Sequence, residues 1–247
     1  MPADTEDLVS RLRAARTVVV VTGAGVSAAS GVPTFRGDDG LWRNFRAEDL
    51  ATPEAFARDP RLVWEWYDWR RGLIAKCEPN AAHHVLAKWS GRDGFTMITQ
   101  NVDGLHERAG TANVVRFHGS IWQMKCASGC GAAPWEDRMV PLRHLPAACP
   151  SCGGLARPNV VWFGETIDPD VFEQSSAAAA QADVFFSIGT SALVYPAAGL
   201  LHHARRNGAF TVEINPGATD ASKYVDMPIA APAEQALAML DARVRIG

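Results

Sequence analysis

The sequence predicts an α/β fold: a parallel sheet with helices on both faces, interrupted by two insertions. Three observations lead there. Residues 18–21 are four consecutive valines, the texture of a short strand buried on both faces, as strands of parallel sheets are. Apolar runs at 95–99, 113–117, 159–163, 183–188, 210–214 and 225–230 alternate with helical stretches in a βαβ rhythm. Two stretches break that rhythm. Residues 41–77 are rich in aromatics and paired charges, and 126–152 in Gly, Pro and Ala with little apolar periodicity.

In chain order, 6–15 carry Leu8, Val9 and Leu12 at helical spacing and lead into the valine strand. Thr22 to Gly25 turn the chain tightly, and 26–30 open a helix that Gly31 and Pro33 stop early. Gly23, Gly25 and Ala28 stand in the G-x-G-x-x-G/A spacing that brings a backbone close to a pyrophosphate at a helix N-terminus, a Rossmann-like cradle. Phe35-Arg36-Gly37 follow where such a fold normally carries more helix. Thr52-Pro53-Glu54 reads as one helix start and Pro60 as another, while Pro79-Asn80 opens a helix through Trp89. The strand at 95–99 leads to a loop and helix at 100–109, and 113–117 form a third strand ending at His118-Gly119. The second insertion cannot make its own core and needs a staple. A strand resumes at 159–163, and 171–180 form a weak Ala-rich helix.

With 247 residues the chain can bury a sizeable core, and 47% hydrophobic with 21% charged residues is the composition of an ordinary globular protein. A net charge of −3 and the lack of any basic run argue against general affinity for nucleic acid or anionic membrane. No apolar run approaches the roughly 18 residues of a membrane span. The opening MPADTEDLVSRL lacks the layout of a secretory signal, so a cytoplasmic location is expected.

Cys126 and Cys130 form C-x3-C, Cys149 and Cys152 form C-x2-C, and 18 residues lie between the pairs. Thiolates in two short knuckles suit a closed, structural, tetrahedral Zn²⁺ site; the competing reading is four unrelated buried thiols. Cys77 stands outside the cluster. The cradle alone can be a mere turn. Its weight comes from other polar strand ends: 99–103, with Thr99, Gln100, Asn101, Val102 and Asp103, then Gly189-Thr190-Ser191 and Asn215-Pro216-Gly217. Ligands of open α/β sheets sit beyond the carboxyl ends of strands, so these describe a dinucleotide crevice. His118 projects from such an end and can take a proton near pH 7, although a lone His is often structural. The His83-His84 and His202-His203 pairs lie within helices and read as structural. Tyr67 and Arg70, at i and i+3, share a helix face. A guanidinium fork beside a phenol suits a carboxylate; an Arg snorkelling along an aromatic surface is the alternative.

Together these motifs resemble the sirtuin family of NAD-dependent protein lysine deacylases. They include 23–27 (GAGVS), 30–37 (SGVPTFRG), 99–106 (TQNVDGLH), 117–119 (FHG), the cysteine pairs, 163–165 (FGE), 189–191 (GTS) and Asn215, all in the family's order from about residue 8 to 240. The resemblance implies NAD contacts at Gly23, Ala24, Gly25, Ser27, Pro33, Phe35, Arg36, Trp42, Gln100, Asn101, Val102, Asp103, Gly189, Thr190, Ser191, Asn215, Pro216, Gly217 and Ala233. It implies His118 as general base with Asn101 and Asp103 ordering the ribose and a water, and Zn²⁺ on the four cysteines. It implies an acyl-lysine protein substrate paired as an extended strand along 161–165, through Val161, Phe163, Gly164 and Glu165. Tyr67-x-x-Arg70 and Ala51 match the class III branch, which removes succinyl and malonyl groups. The implied domains are an NAD-binding Rossmann-like domain (1–40, 79–122 and 158–247) and a small domain of a helical module (41–78) and a zinc module (123–157).

The expected reaction gives nicotinamide, free lysine and O-acyl-ADP-ribose, with Phe35 shielding the ribose C1′ from water. Two other readings compete: an NAD-dependent mono-ADP-ribosyltransferase and a non-catalytic NAD-sensing zinc-ribbon module. A dehydrogenase is disfavoured because no acidic residue ends a second strand soon after the cradle.

Overall fold

The computed structural model describes residues 3–33, 45–190 and 196–244. Helix α1 (Ala3–Ala14) leads into β1 (Val18–Thr22), which a seven-residue 3-10 helix (Ala24–Ser30) follows. The first insertion contributes α2 (Ala47–Leu50), α3 (Pro53–Arg58) and α4 (Pro60–Ile74). The chain then runs α5 (Ala81–Trp89), β2 (Phe95–Thr99), α6 (Leu105–Arg108), β3 (Val115–Arg116), β4 (Gly119–Cys126), β5 (Trp135–Glu136) and β6 (Ala156–Val160). It closes with α7 (Pro169–Ala180), β7 (Val184–Ile188), α8 (Ala197–Arg206), β8 (Phe210–Asn215), β9 (Met227–Ala230) and α9 (Ala233–Val244). Among the described residues no helix is long and apolar enough to cross a membrane.

The main sheet has the order β3-β2-β1-β7-β8-β9, and every pair is parallel. Side chains alternate across a strand, and the four valines show it. Val18 and Val20 join the core made with α1, α5 and α9, while Val19 and Val21 join the one made with α7 and α8. β1 sits centrally, with the chain stepping to β2 and β3 on one side and to β7, β8 and β9 on the other. That reversal opens a crevice beyond the carboxyl end of β1.

A second, three-stranded antiparallel sheet of order β5-β4-β6 packs against α2, α3 and α4 around a third core. Val63, Trp64, Trp66 and Ile74 of the helical insertion meet Ile121, Trp122, Ala156 and Trp162 there. The two insertions therefore share one lobe. Caps set the helix starts: Thr52, Asp59 and Asn80 side chains accept the N–H groups of Ala55, Leu62 and Ala82, and prolines occupy the first turns of α3 and α4.

The structure corrects the strand readings at three places. The stretch 113–117 keeps only two ladder residues, because Asn113 takes φ +50 and leaves the extended region. β4 is unforeseen: Ser120, Ile121 and Trp122 are buried in succession across a register shift, so no alternation marks it. The strand read at 159–163 is displaced to β6 and belongs to the small sheet. β4 runs across residues 122 and 123, with one end beside the crevice and the other at Cys126.

Candidate functional site: a crevice at the strand ends and a four-thiolate cage

The strand ends are bonded to one another. The N–H groups of Gly23, Gly25 and Gly189 donate to the carbonyls of Ile188, Gly189 and Ile214 at 2.9, 2.8 and 2.9 Å. A Cβ on Gly23 would lie 2.8 Å from the Gly189 oxygen, and one on Gly25 2.8 Å from the Gly189 Cα. Gly189 has φ +60, and its Cβ would meet the Val26 nitrogen at 2.4 Å. The cradle glycines are thus demanded by the end of β7 pressing into the turn, beyond any need to admit a ligand. The third position of the spacing, Ala28, is exposed, and the element is a 3-10 helix rather than an α-helix.

Around this turn the polar strand ends converge. The Gln100 side chain donates to Thr190 Oγ1 (3.2 Å) and Asn215 Nδ2 to the Thr190 carbonyl (2.8 Å). Asn101 Nδ2 donates to the Gly23 carbonyl (3.1 Å) and to Ser27 Oγ (3.2 Å). Ser27 is buried and donates to Asp103 Oδ2 at 2.8 Å, while Leu105 N–H donates to Oδ1 at 2.8 Å. Burial raises the Asp103 pKa, with those two hydrogen bonds acting against it.

Beneath Ser27 lies a feature the sequence reading missed. His83 and His106 are buried with ring centroids 4.8 Å apart. Asn80 N–H donates to His83 Nδ1 at 3.2 Å, which assigns the proton to Nε2, 3.3 Å from Ser27 Oγ. Burial holds both imidazoles neutral, pushing each pKa down to about 3. A helical histidine gives no periodic signal. The only local mark is the spacing of Asn80 and His83, a helix cap with its third residue.

His118 follows β3, half-buried, with Nδ1 3.0 Å from the Gln100 carbonyl. A carbonyl can only accept, so Nδ1 carries the proton and Nε2 keeps its lone pair. Burial lowers the His118 pKa and the Gln100 contact opposes it. Its own carbonyl accepts Val161 N–H at 3.0 Å, tying it to 161–165. That segment is a turn rather than a strand. Phe163 N–H donates to the Ala51 carbonyl (2.9 Å), and Glu165 N–H to the Trp162 carbonyl (3.0 Å). Glu165 closes the turn by accepting Trp162 N–H (2.9 Å) and Arg157 (2.6 and 2.8 Å). Burial works to raise the Glu165 pKa, but the Arg157 bonds leave it lowered. Phe163 and Gly164 are exposed.

Tyr67 reaches this turn from α4. It is buried, and its hydroxyl accepts Trp162 Nε1–H at 2.8 Å. Burial pushes its pKa up to about 12 against the Arg70 charge. Arg70 lies with its guanidinium carbon 5.1 Å from the Trp66 ring; burial lowers its pKa, and Tyr67 and then Asp103 counteract that. The cation is thus coupled electrostatically to Tyr67 and to Asp103 of the crevice. Ala51 is buried at the end of α2. Of the remaining expected contacts, Ala24, Pro33 and Val102 are half-buried, Pro216 and Gly217 are exposed beyond β8, and Ala233 is buried at the start of α9. Phe35, Arg36, Trp42 and Ser191 lie outside the described residues.

At the far end of β4 the four cysteines come together, their sulfurs all within 4.8 Å of one another. The separations are 3.7 Å for Cys126–Cys152 and 3.8 Å for Cys130–Cys149. Four sulfurs about 2.3 Å from a central Zn²⁺ stand about 3.8 Å apart along a tetrahedron's edges. A disulfide needs about 2.05 Å. The cage fits the metal. Backbone N–H groups turn toward the sulfurs: that of Cys130 leads in drawing the Cys126 pKa down to about 6, and that of Cys152 in lowering Cys149. Cys77 is a separate buried thiol.

The Sir2 family model matches residues 23–196. A protein of Aquifex aeolicus named NAD-dependent protein deacylase is 52% identical over 211 residues, 85% of this chain and 87% of that one. NAD-dependent protein deacylase 1 of Caldanaerobacter subterraneus subsp. tengcongensis is 48% identical over 221 residues, 89% and 90% of the two chains. Among solved structures, a Sir2 homolog–NAD complex superposes with TM-score 0.91 at 42% identity, covering 97% of this chain and 93% of that one. A Sir2–p53 peptide–NAD⁺ complex superposes with TM-score 0.83 at 27% identity, covering 98% and 99%.

Proposed function

The chain belongs to the Sir2 family, and from that premise we propose that it is an NAD-dependent protein lysine deacylase. It removes acetyl groups from lysine and, through Tyr67 and Arg70, succinyl or malonyl groups, releasing nicotinamide and O-acyl-ADP-ribose. The observation that carries this reading is the His118 tautomer, with a lone pair on Nε2 at the mouth of the crevice.

Bound NAD supplies the nicotinamide–ribose bond whose cleavage makes C1′ open to the acyl oxygen. Gly23, Ala24, Gly25, Ser27 and Pro33, with Gln100 to Asp103, Gly189, Thr190, Asn215 to Gly217 and Ala233, form the NAD site. Phe35, Arg36, Trp42 and Ser191 complete it. Asn101 and Asp103, bonded through Ser27, hold one face of that site in a fixed hydrogen-bond pattern and orient the ribose hydroxyls. His118 Nε2 takes a proton from a ribose hydroxyl, while the Gln100 carbonyl keeps the ring oriented; general-base help of this kind is worth about 10²–10⁴-fold.

Specificity follows from α4. Tyr67 accepts one hydrogen bond from Trp162 and retains its own O–H to donate, beside the Arg70 guanidinium. A phenol donor and a cation, both partly withdrawn from water, favour an acyl chain ending in a carboxylate. Ala51 leaves room for that chain. Val161, Phe163, Gly164 and Glu165 receive the peptide at the exposed turn, which the Arg157–Glu165 pair stiffens. Zn²⁺ on Cys126, Cys130, Cys149 and Cys152 is structural, since four thiolates leave no open coordination position.

The test is nicotinamide release from NAD with a panel of acetyl-, malonyl- and succinyl-lysine peptides, read with mass analysis of products. Acyl-ADP-ribose in solution is the expected product. ADP-ribose on protein in its place, or no nicotinamide at all, overturns the reading.

A further inference from the structure

Arg71, next in sequence to Arg70, has no part in the site as described, yet among the described residues it is the most completely buried cation, with none of its side chain exposed. One terminal nitrogen donates to both the carbonyl and Oδ1 of Asp137, the latter at 2.6 Å. The guanidinium carbon stands 5.3 Å from the Trp122 ring. Nε and the other terminal nitrogen have no partner among the described residues. A buried ion pair left partly unsatisfied is a poor stabiliser, and apolar residues of similar volume often serve better. Stability alone does not account for this group.

What it touches does. Asp137 follows β5 in the loop between the cysteine pairs, and its N–H donates to the Trp122 carbonyl at 2.9 Å. One turn of α4 is bonded to this loop twice, by Arg71 to Asp137 and by Asp68 accepting Leu142 N–H at 2.8 Å. Those two ties flank Arg70. The Trp122 indole N–H, under the Arg71 guanidinium, donates to the Asp103 carbonyl at 2.6 Å, and its ring so closely covers Gly104 that a Cβ there would meet it at 3.0 Å. Arg71 therefore braces both α4, which carries Arg70, and, through Trp122, the backbone of Asp103.

We propose that Arg71 is a positioning residue: gripped by Asp137 and seated on Trp122, it fixes α4 so that Tyr67 and Arg70 meet an acyl carboxylate in register. This rests on the carboxylate-reading role given to Tyr67 and Arg70 above. Fork-to-carboxylate bonding is sensitive to sub-ångström displacement, whereas a methyl group in an apolar pocket tolerates it.

The test compares the unsubstituted chain with Asp137→Asn and with Arg70→Met as the reference for lost carboxylate reading. KM and kcat are measured on succinyl- and acetyl-lysine peptides, and the zinc:protein ratio and circular dichroism check that the lobe is intact. Asp137→Asn should raise KM for the succinyl peptide about tenfold, leave acetyl KM within about threefold and keep the zinc ratio. Asp137→Glu, which restores the charge, should recover at least half of the succinyl loss. Should Asp137→Asn fail to fold, Arg71→Lys, which keeps the charge and loses the fork, is held to the same criterion. Equal losses on both peptides, or an unchanged succinyl KM, overturn the proposal. If the unsubstituted chain does not turn over succinyl-lysine, the reading of Tyr67 and Arg70 fails and the brace falls with it. If it does, and Arg70→Met lowers the ratio of succinyl to acetyl kcat/KM while Asp137→Asn leaves it unchanged, the brace alone is refuted.

Discussion

Replacing His118 by Asn separates the two functions of the ring. The Asn amide can donate to the Gln100 carbonyl as Nδ1 does at 3.0 Å, but nothing stands where Nε2 was. The bond worth about 0.5–1.5 kcal/mol is then retained, and stability should change by less than about 1 kcal/mol. The base is lost outright. A general base contributes about 10²–10⁴-fold, or about 2.7–5.4 kcal/mol of barrier at 1.36 kcal/mol per decade. Net deacylation of an acetyl-lysine peptide, followed by chromatography of the free-lysine product, should fall by at least about 100-fold. NAD affinity by calorimetry should stay within about threefold, because His118 receives a proton rather than holding the dinucleotide. Turnover within about threefold of the unsubstituted chain would refute the assignment of the base, whatever happened to binding.

Arg70→Met should shift the ratio of succinyl to acetyl kcat/KM by about 10–100-fold, the size of a charge-assisted hydrogen bond worth about 1.5–3 kcal/mol; an unchanged ratio contradicts carboxylate reading. Metal analysis should find one zinc per chain, and a strong chelator should expose four more titratable thiols and lower the thermal midpoint, since the 127–152 loop has little core of its own. Folding should weaken in acid. His83, His106 and His118 all bind protons less readily folded than unfolded, so they cost nothing above the ordinary histidine pKa of about 6.5 and destabilise progressively as pH falls below it, with His83 and His106 shifted to about 3. Urea midpoints that were equal at pH 7 and pH 5 would contradict those shifts. Because His118 also stays neutral below its usual range, the acid limb of kcat/KM should lie below pH 6.5.

The main sheet was legible because burial on both faces writes itself as unbroken apolar runs, as in the four valines. The helix starts of α3, α4 and α5 were legible because Thr52-Pro53, Pro60 and Pro79-Asn80 mark them chemically. β4 was not, since a strand that buries Ser120, Ile121 and Trp122 in succession has no period of two. The glycine spacing was legible as a cradle, but its second reason was not: the end of β7, brought in by parallel pairing with β1, also leaves no room for a Cβ. The cysteine cage was legible from spacing alone, whereas the His83–Ser27–Asp103 chain joins residues from three elements and exists only once they are packed. Arg71 illustrates the same limit, for its neighbour Arg70 carries an identical charge and the fold alone assigns them different partners.

The shared core of the two insertions has a consequence for synthesis. Trp64 donates its indole N–H to the carbonyl of Ala156, 92 residues later, and Tyr67 waits for Trp162. At about 5–20 residues per second, α4 leaves the ribosome some 5–20 s before its partners exist. During that interval Trp64, Trp66 and Tyr67 are an apolar surface with nothing to cover it. The small lobe must close late, after translation has passed residue 162 and the last two cysteines have emerged to take the metal. A nascent chain halted before that point should present Trp64, Trp66 and Tyr67 to chaperones, and these three should be withdrawn once Ala156 and Trp162 have emerged.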